Sequence, residues 1–444
     1  MRTKDEREPV QSVRMRASIP GMQDIGLRHA KIFLAVADSL CVTRAAGLLN
    51  RSQTAVTKSL QELEQQLGVT IFDRSSKGVT LTAFGDCLLR HAREAACAFS
   101  TAGEQVASGS ARRTVQTSRI SNMDLSDRWL DAFLATAEHQ DLAAAAEHLG
   151  LTSAAVSLSL RKLEDAVGAR LIERTPQAVI PSAVGRLLAR YVKLARSHLR
   201  HACDEIAGMQ GAHRGRVVVG TLPFVRTIIV PRAITRLLQA HPYLDVATVE
   251  GPYDDLAAAL RCGDIDLMVG ALRGEGADRD LAEERILDDS LSIVARAGHP
   301  LSKRGILHWQ DLLAYDWILP RRGTPTRELF ERAVSLRGLT VPPHAVETSS
   351  LVTLRGLLLE SDRVTILSRH QILFEEQCGL LAVLTFELNG TARAIGITRR
   401  RRGSMSPAAA LLADAIRSAV ADSGGRAKHW PGVPVRPAMA AVGE

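Results

Sequence analysis

Ser52, Gln53, Thr54, Thr57, Lys58 and Gln61 stand close together in the stretch "SQTAVTKSLQELEQQLG", and each carries a short or extended hydrogen-bonding group or a positive charge. Side chains of these kinds read nucleic acid: a glutamine amide pairs bidentately with adenine, hydroxyls reach bases or phosphates, and an ammonium group meets phosphate. Arg74 and Lys77 follow around a Ser-Lys-Gly turn in "VTIFDRSSKGVTLT", where positive charge would contact a phosphate backbone. Covalent or acid-base chemistry would need other patterns. The chain has no GxxxxGK[ST] loop, HExxH, GxSxG elbow or Gly-rich dinucleotide fingerprint. Its six cysteines are scattered singly without CxxC spacing. No enzymatic activity, cofactor or metal is expected.

The elements that must hold the polar cluster are legible in its surroundings. Val56, Leu60, Leu63 and Leu67 fall on one stripe of a helix with Ser52 as N-cap, which leaves the polar set on the outer face. Ala45 and Ala46 in the preceding "TRAAGLLN" permit close helix crossing, and "LNRSQ" makes a tight connection, together a helix-turn-helix pattern. The two short strand-like runs after Gly68 then form a hairpin wing. An amphipathic helix with a polar outer face is ordinarily just solvated. The ordered combination of close-packed helix pair, polar face and basic hairpin tip is what favours DNA.

The pattern occurs twice. Phe33, Ala45, Ala46, Val56, Leu60, Leu63, Glu64, Gly68, Arg74 and Gly85 recur at Phe133, Ala145, Ala146, Val156, Leu160, Leu163, Glu164, Gly168, Arg174 and Gly185, the mark of a duplicated domain. Copy two offers Ser153, Ser157, Arg161 and Arg174 as candidate DNA contacts. It has Ser153, Ala154 and Leu158 where copy one has Gln53, Thr54 and Lys58, and Gln177-Ala178 where copy one has Lys77-Gly78. Copy one is therefore expected to be the main base reader, and copy two a weaker DNA contact or a protein-protein module.

The 444 residues are 46% apolar and 23% charged, enough for several cored domains, and the net charge of +8 is compatible with a polyanionic partner. No apolar run is long enough to span a membrane and the N-terminal stretch lacks an apolar signal core, so a cytoplasmic protein is expected. After Gly211, strand-like runs alternate with helical ones, which predicts two α/β lobes around open parallel sheets. The strands "LLAVLTF" and "ARAIGITR" and a last helix are expected to return the chain to the first lobe. Ligands of such lobes sit at strand ends facing helix N-termini. Thr221, Thr324, Ser349 and Ser350 stand at such junctions, with Arg321 and Arg322 beside one of them, which favours a carboxylate or other anion. Each hydroxyl taken singly is also a plain helix cap. The run Arg399 to Arg402 reads as a solvated strand end.

The segment "FLAVADSLCVTRAAGLLNRSQTAVTKSLQELEQQLGVTIFDRSSKGVTLTAFG" resembles the winged helix-turn-helix domain of LysR-type transcriptional regulators. The paired alanines, the Ser-Gln opening, Leu63-Glu64, Leu67-Gly68, Phe72 with Arg74, and Leu81-Thr82 with Gly85 carry the likeness. The resemblance implies a mixed fold: two α-rich winged helix-turn-helix domains, then a two-lobed effector-binding domain of periplasmic-binding-protein-like architecture. A solute-binding protein shares the lobes but not the duplicated helix-turn-helix. The resemblance also implies double-stranded DNA and a small-molecule effector as partners and a homodimer or homotetramer, with one departure: members ordinarily carry a single DNA-binding domain. The expected organisation is a disordered arm (1–26), domain one (27–100), a connector (101–124), domain two (125–182), a dimerisation helix (183–210), the effector domain (211–421) and a disordered tail (422–444). Val184, Leu188, Tyr191, Leu194 and Ile206 mark the helix expected to pair two subunits, while the equivalent helix of copy one shows a poorer stripe.

Overall fold

The reading helices and wings of both copies follow the same rules of capping and close approach in a computed structural model that describes residues 25–75, 78–109, 117–175, 178–211, 215–274, 276, 278–342 and 345–425. Copy one comprises α1 (Leu27–Ser39), α2 (Val42–Leu48), α3 (Gln53–Leu67), β1 (Phe72–Ser75), β2 (Gly78–Leu81) and α4 (Ala83–Gly109). After a short α5 (Thr117–Ser121), copy two repeats this as α6 (Asp127–His139), α7 (Leu142–Leu149), α8 (Ser153–Val167), β3 (Ile172–Arg174), β4 (Val179–Pro181) and α9 (Ala183–Met209). Ser52 Oγ accepts from Ala55 N and Thr152 Oγ1 from Ala155 N, both at 3.2 Å, so each starts its helix as an N-cap.

The shared Leu-Glu and Gly motifs have structural work. Glu64 Oε1 accepts from the N–H groups of Ile71 and Phe72, and Glu164 Oε1 from those of Leu171 and Ile172, fastening each wing to its helix. Gly85 and Gly185 lie so near the chain before the wing that a Cβ would sit 2.1 Å from Ile71 O or 2.0 Å from Leu171 O. No residue but glycine permits that approach.

The long helices α4 and α9 pack against each other within the chain. Cys87 and His91 near the start of α4 meet Glu205 near the end of α9, so the pair runs antiparallel. Leu88, Ala92, Ala95, Phe99, Ala102 and Val106 of α4 are at most 1% exposed, and so are Leu188, Val192, Ala195, Leu199, Ala202 and Ile206 of α9, in the same core as both helix-turn-helix units. One expected boundary is corrected here: the connector expected from residue 101 is helical to Gly109, with Ala102 and Val106 buried. Within the chain, the apolar face of residues 183–210 packs along α4. The arm (1–24), part of the connector (110–116) and the tail from 426 lie outside the described residues.

The first lobe holds β5 (Gly215–Thr221), α10 (Ile229–Ala240), β6 (Leu244–Glu250), α11 (Tyr253–Cys262), β7 (Leu267–Ala271) and β8 (Leu281–Asp289). The second holds β9 (Leu291–Arg296), α12 (Trp309–Leu313), β10 (Trp317–Leu319), α13 (Pro325–Ser335), β11 (Ala345–Glu347), α14 (Leu351–Leu359), β12 (Val364–Ser368), α15 (Leu373–Gln377) and β13 (Leu381–Val383). Then β14 (Arg393–Arg400) and α16 (Pro407–Gly425) return to the first. The sheets are ordered β6-β5-β7-β14-β8 and β11-β10-β12-β9-β13. The β5 pairings with β6 and β7 are parallel, as are those of β10 with β11 and β12. Neither sheet is wholly parallel, because β14 runs antiparallel to its neighbours in the first and β9 to its own in the second. "LLAVLTF" does not return to the first lobe as expected: Leu381–Val383 pairs with β9. At the crossing between lobes the buried Asp289 accepts from Ser368 Oγ at 2.6 Å and from Arg393 Nε at 3.0 Å.

Candidate nucleic-acid interface and effector cleft

The apolar stripes of α3 and α8 face the core through Val56, Leu60 and Leu63 and their counterparts Val156, Leu160 and Leu163. What remains outward on α3 is Ser52, Gln53, Thr54, Lys58 and Gln61, all exposed, with Thr57 half-buried. Thr43 of α2 donates to the Gln53 amide oxygen at 3.3 Å, which ties the amide's orientation to the first helix of the pair. Lys58 lies 3.9 Å from Glu62 one turn on. On α8 the outward set is Ser153, Ala154, Leu158 and Arg161, with Ser157 half-buried, and Leu158 is 53% exposed. Arg174 is exposed on β3; the backbone of Arg74 pairs with Val79 in the first wing. Lys77 and Gln177, the compared wing-tip positions, lie outside the described residues.

Residues scattered in sequence meet where α4 crosses α9. Glu205 accepts from Arg90 Nη2 at 2.6 Å and lies 2.8 Å from His91 Nε2. Burial opposes its ionisation, but these two partners hold its carboxyl below the usual carboxylate range. The Cys87 thiol is within 4.8 Å of the same groups, and burial, then the Glu205 charge, pushes it up to about 12. The arginine and histidine contacts of Glu205 make a polar lock between the two helices, with the Cys87 thiol beside it. Sequence spacing could not have shown it, since Glu205 comes from the other repeat.

The linker helix α9 is also fastened to the first lobe. Lys193 Nζ donates to Asp264 at 2.9 Å and Arg190 to Asp280 at 2.7 Å. The Asp266 carboxylate accepts from Val218 N at 2.8 Å and lies 3.3 Å from His201 Nε2. Arg400 and Arg401, from the run that could suggest a phosphate contact, donate instead to the carbonyls of Leu260 and Ile265 and of Arg279 and Leu281.

Between the lobes lies a cavity of about 700 Å³. Ser349 and Ser350 line it together with two ion pairs, Arg226–Glu250 at 3.0 Å and Arg355–Glu375 at 2.5 Å. Burial holds the Arg226 guanidinium below its ordinary value. Ser350 Oγ caps α14 by accepting from Thr353 N at 3.3 Å. Thr221 is 2% exposed, and its carbonyl accepts from Arg226. Thr324 caps α13, while Arg321 and Arg322 are exposed; none of the three lines this cavity. Sequence reasoning missed Arg226 and Arg355 because each sits inside or just before a helix, where an arginine looks like surface. No helix among the described residues is long and apolar enough to cross a membrane.

Residues 210–421 match the LysR substrate binding domain, and residues 27–86 and 128–186 each match the bacterial regulatory helix-turn-helix protein domain of the lysR family. The HTH-type transcriptional regulator GalR of Pseudomonas putida is 35% identical over 398 residues, 89% of this chain and 98% of that protein. The HTH-type transcriptional regulator PcaQ of Agrobacterium fabrum is 31% identical over 66% of this chain and 95% of its own length. Among solved structures, full-length OxyR from Pseudomonas aeruginosa shares the fold, with TM-score 0.50 and 23% identity over 65% of this chain and 94% of that one. Two winged helix-turn-helix units braced on a two-lobed domain, with these matches over both parts, place the chain in the LysR family of DNA-binding transcriptional regulators.

Proposed function

We propose that the protein binds duplex DNA through the outward faces of α3 and α8 and changes its grip when a small anion, most simply a carboxylate, enters the cleft between the lobes. The observation that carries this reading is the strut α9: one helix holds both helix-turn-helix units through α4 and is itself ion-paired to the first lobe through Lys193 and Arg190. Movement of that lobe therefore has a rigid route to the DNA-reading faces. On this reading Ser52, Gln53, Thr54, Thr57, Lys58 and Gln61 contact DNA from copy one, and Ser153, Ser157 and Arg161 from copy two, with Arg74 and Arg174 toward phosphates. In the cleft the ligand's negative charge is met by Ser349, Ser350 and the start of α14, with Arg226 and Arg355 released in part from their glutamates.

The test has two arms. Selection of fragments from a randomised duplex pool, read at rising salt, is expected to enrich one sequence class whose affinity falls steeply with ionic strength; retention of all fragments alike would overturn specific reading. A panel of small carboxylates screened by thermal shift is expected to stabilise the parent and not Arg355→Ala, whereas equal stabilisation of both would remove the assigned cleft contacts. A second reading, that α8 meets a protein surface instead of DNA, is favoured by the exposed Leu158 on its outer face.

A further inference from the structure

We infer that a single chain is a complete two-headed DNA reader with a built-in direction: α3 and α8 of the same molecule occupy two unlike half-sites, and the operator is asymmetric. The inference rests on the proposed DNA binding and adds its stoichiometry and polarity.

The first observation is the pairing helix itself. The apolar residues of α4 that are at most 1% exposed follow steps of four, three, four, three and four from Leu88 to Val106, and those of α9 repeat these steps from Leu188 to Ile206. That alternation is the seam of paired helices, and here two equal stripes lie along each other in antiparallel sense. The helices are thus matched as two subunits of a symmetric dimer would be, but both belong to one chain. Each stripe is filled by the other, so neither stripe is open to another molecule.

The second observation lies where α1 and α6 begin, beside Arg196 in the middle of α9. The backbone N–H of Leu27 donates to Asp127 at 3.1 and 3.3 Å, a contact between positions one full repeat apart. Equivalent positions of two related units touch only near the axis that relates them. Both heads also share one core, running from Ile25 to Ile206.

The third observation is that the two outward faces differ. Paired helix-turn-helix units read half-sites on one side of the duplex, and identical subunits impose palindromy. Here Gln53, Thr54 and Lys58 face outward in one head, Ser153, Ala154 and Leu158 in the other. A pair with unlike faces fits its site in one orientation only, so the chain gives the effector domain a defined side of the operator.

The experiment uses the full chain with exposed Cys97 and Cys378 changed to serine, and Glu205→Cys placed beside native Cys87. Mild oxidation of dilute protein is expected to give a disulfide at single-chain mass, with the 87–205 linkage found by peptide mapping; a covalent dimer would overturn the intramolecular pairing. The oxidised chain is then presented with a randomised duplex pool longer than two helical turns. Expected are two dissimilar half-sites in fixed order, and one chain per duplex by native mass spectrometry at limiting protein. A palindromic consensus, or two chains needed for the two half-sites, would overturn the inference while leaving DNA binding intact. No enrichment, with the single-chain disulfide formed, would overturn the DNA reading and this inference with it.

Discussion

Leu27 and Asp127 are counterparts in the two repeats, and they are hydrogen-bonded to each other: the N–H that opens α1 is satisfied by a carboxylate that opens α6. An N-terminal N–H of one helix is thereby paired by the other copy. Burial, the largest influence, raises the Asp127 carboxyl above the usual range, although Leu27 and Arg196 pull the other way. The two helix-turn-helix units therefore form one body, not beads on a tether.

One consequence concerns stability. Phe99 is wholly buried in the core common to both copies. Phe99→Ala should cost about 3–5 kcal/mol, as large-to-small core substitutions do. Hydrogen exchange is expected to quicken in α6 and α8 as well as in copy one. Loss of protection in copy one alone would mean that the cores are separable.

Glycines give a paired prediction of opposite sign. Gly85→Ala and Gly185→Ala each drive a Cβ into a backbone carbonyl and should destabilise by about 1–3 kcal/mol. Gly47→Ala meets nothing within 4 Å inside α2 and should stabilise by about 0.5–1 kcal/mol. Urea melts of the three variants check the signs.

The duplication was legible because its signals are local: caps at Ser52 and Thr152, a glutamate reaching the wing, a glycine at the crossing. The α4 side of the helix pair was not. Three of its six stripe positions are Ala92, Ala95 and Ala102, and alanine suits either face of a helix, so only the partner shows that small residues there permit close packing. The strand β8, "LAEERILDD", was also missed. It lies at the sheet edge beside β14 and buries little but its ends, which leaves no clean alternation to read. Of the hydroxyls expected at the cleft, Ser349 and Ser350 line the cavity and Thr221 and Thr324 do not, while Arg226 and Arg355 reach it through the way two lobes face each other, a relation without local signature.

Acid should loosen the junction between α9 and the first lobe. Burial, and after it the charge of Arg400, holds His198 at about 3 against an ordinary 6.5. The neutral ring is thus the folded form, and the unfolded chain binds the extra proton. Its contribution is present above pH 6.5 and is lost as pH falls toward 3, reaching about 2 kcal/mol at pH 5. His201 is lowered as well, chiefly by burial, and acts in the same direction. Urea unfolding at pH 8 and pH 5 measures the loss, and His198→Gln should flatten the difference. An unchanged slope in that variant would assign the acid sensitivity elsewhere.

The two reading helices are expected to contribute unequally. Gln53 carries an amide able to pair with adenine, oriented by Thr43, and copy two has alanine at the position of Thr43 and serine at that of Gln53. Lys58 is exposed and its counterpart is leucine, whereas Arg161 and Lys162 in copy two replace Gln61 and Glu62. Copy one is thus expected to supply base readout and copy two chiefly phosphate contacts. Gln53→Ala with Lys58→Ala should weaken a selected operator by about tenfold or more and relax preference at the bases under α3. Ser153→Ala with Arg161→Ala should weaken binding nearly uniformly across sequences and lower its salt dependence by about one phosphate contact. Footprinting with both double variants decides the assignment. Protection that survives loss of Gln53 and Lys58 but vanishes with Ser153 and Arg161 would reverse it, making α8 the principal reader.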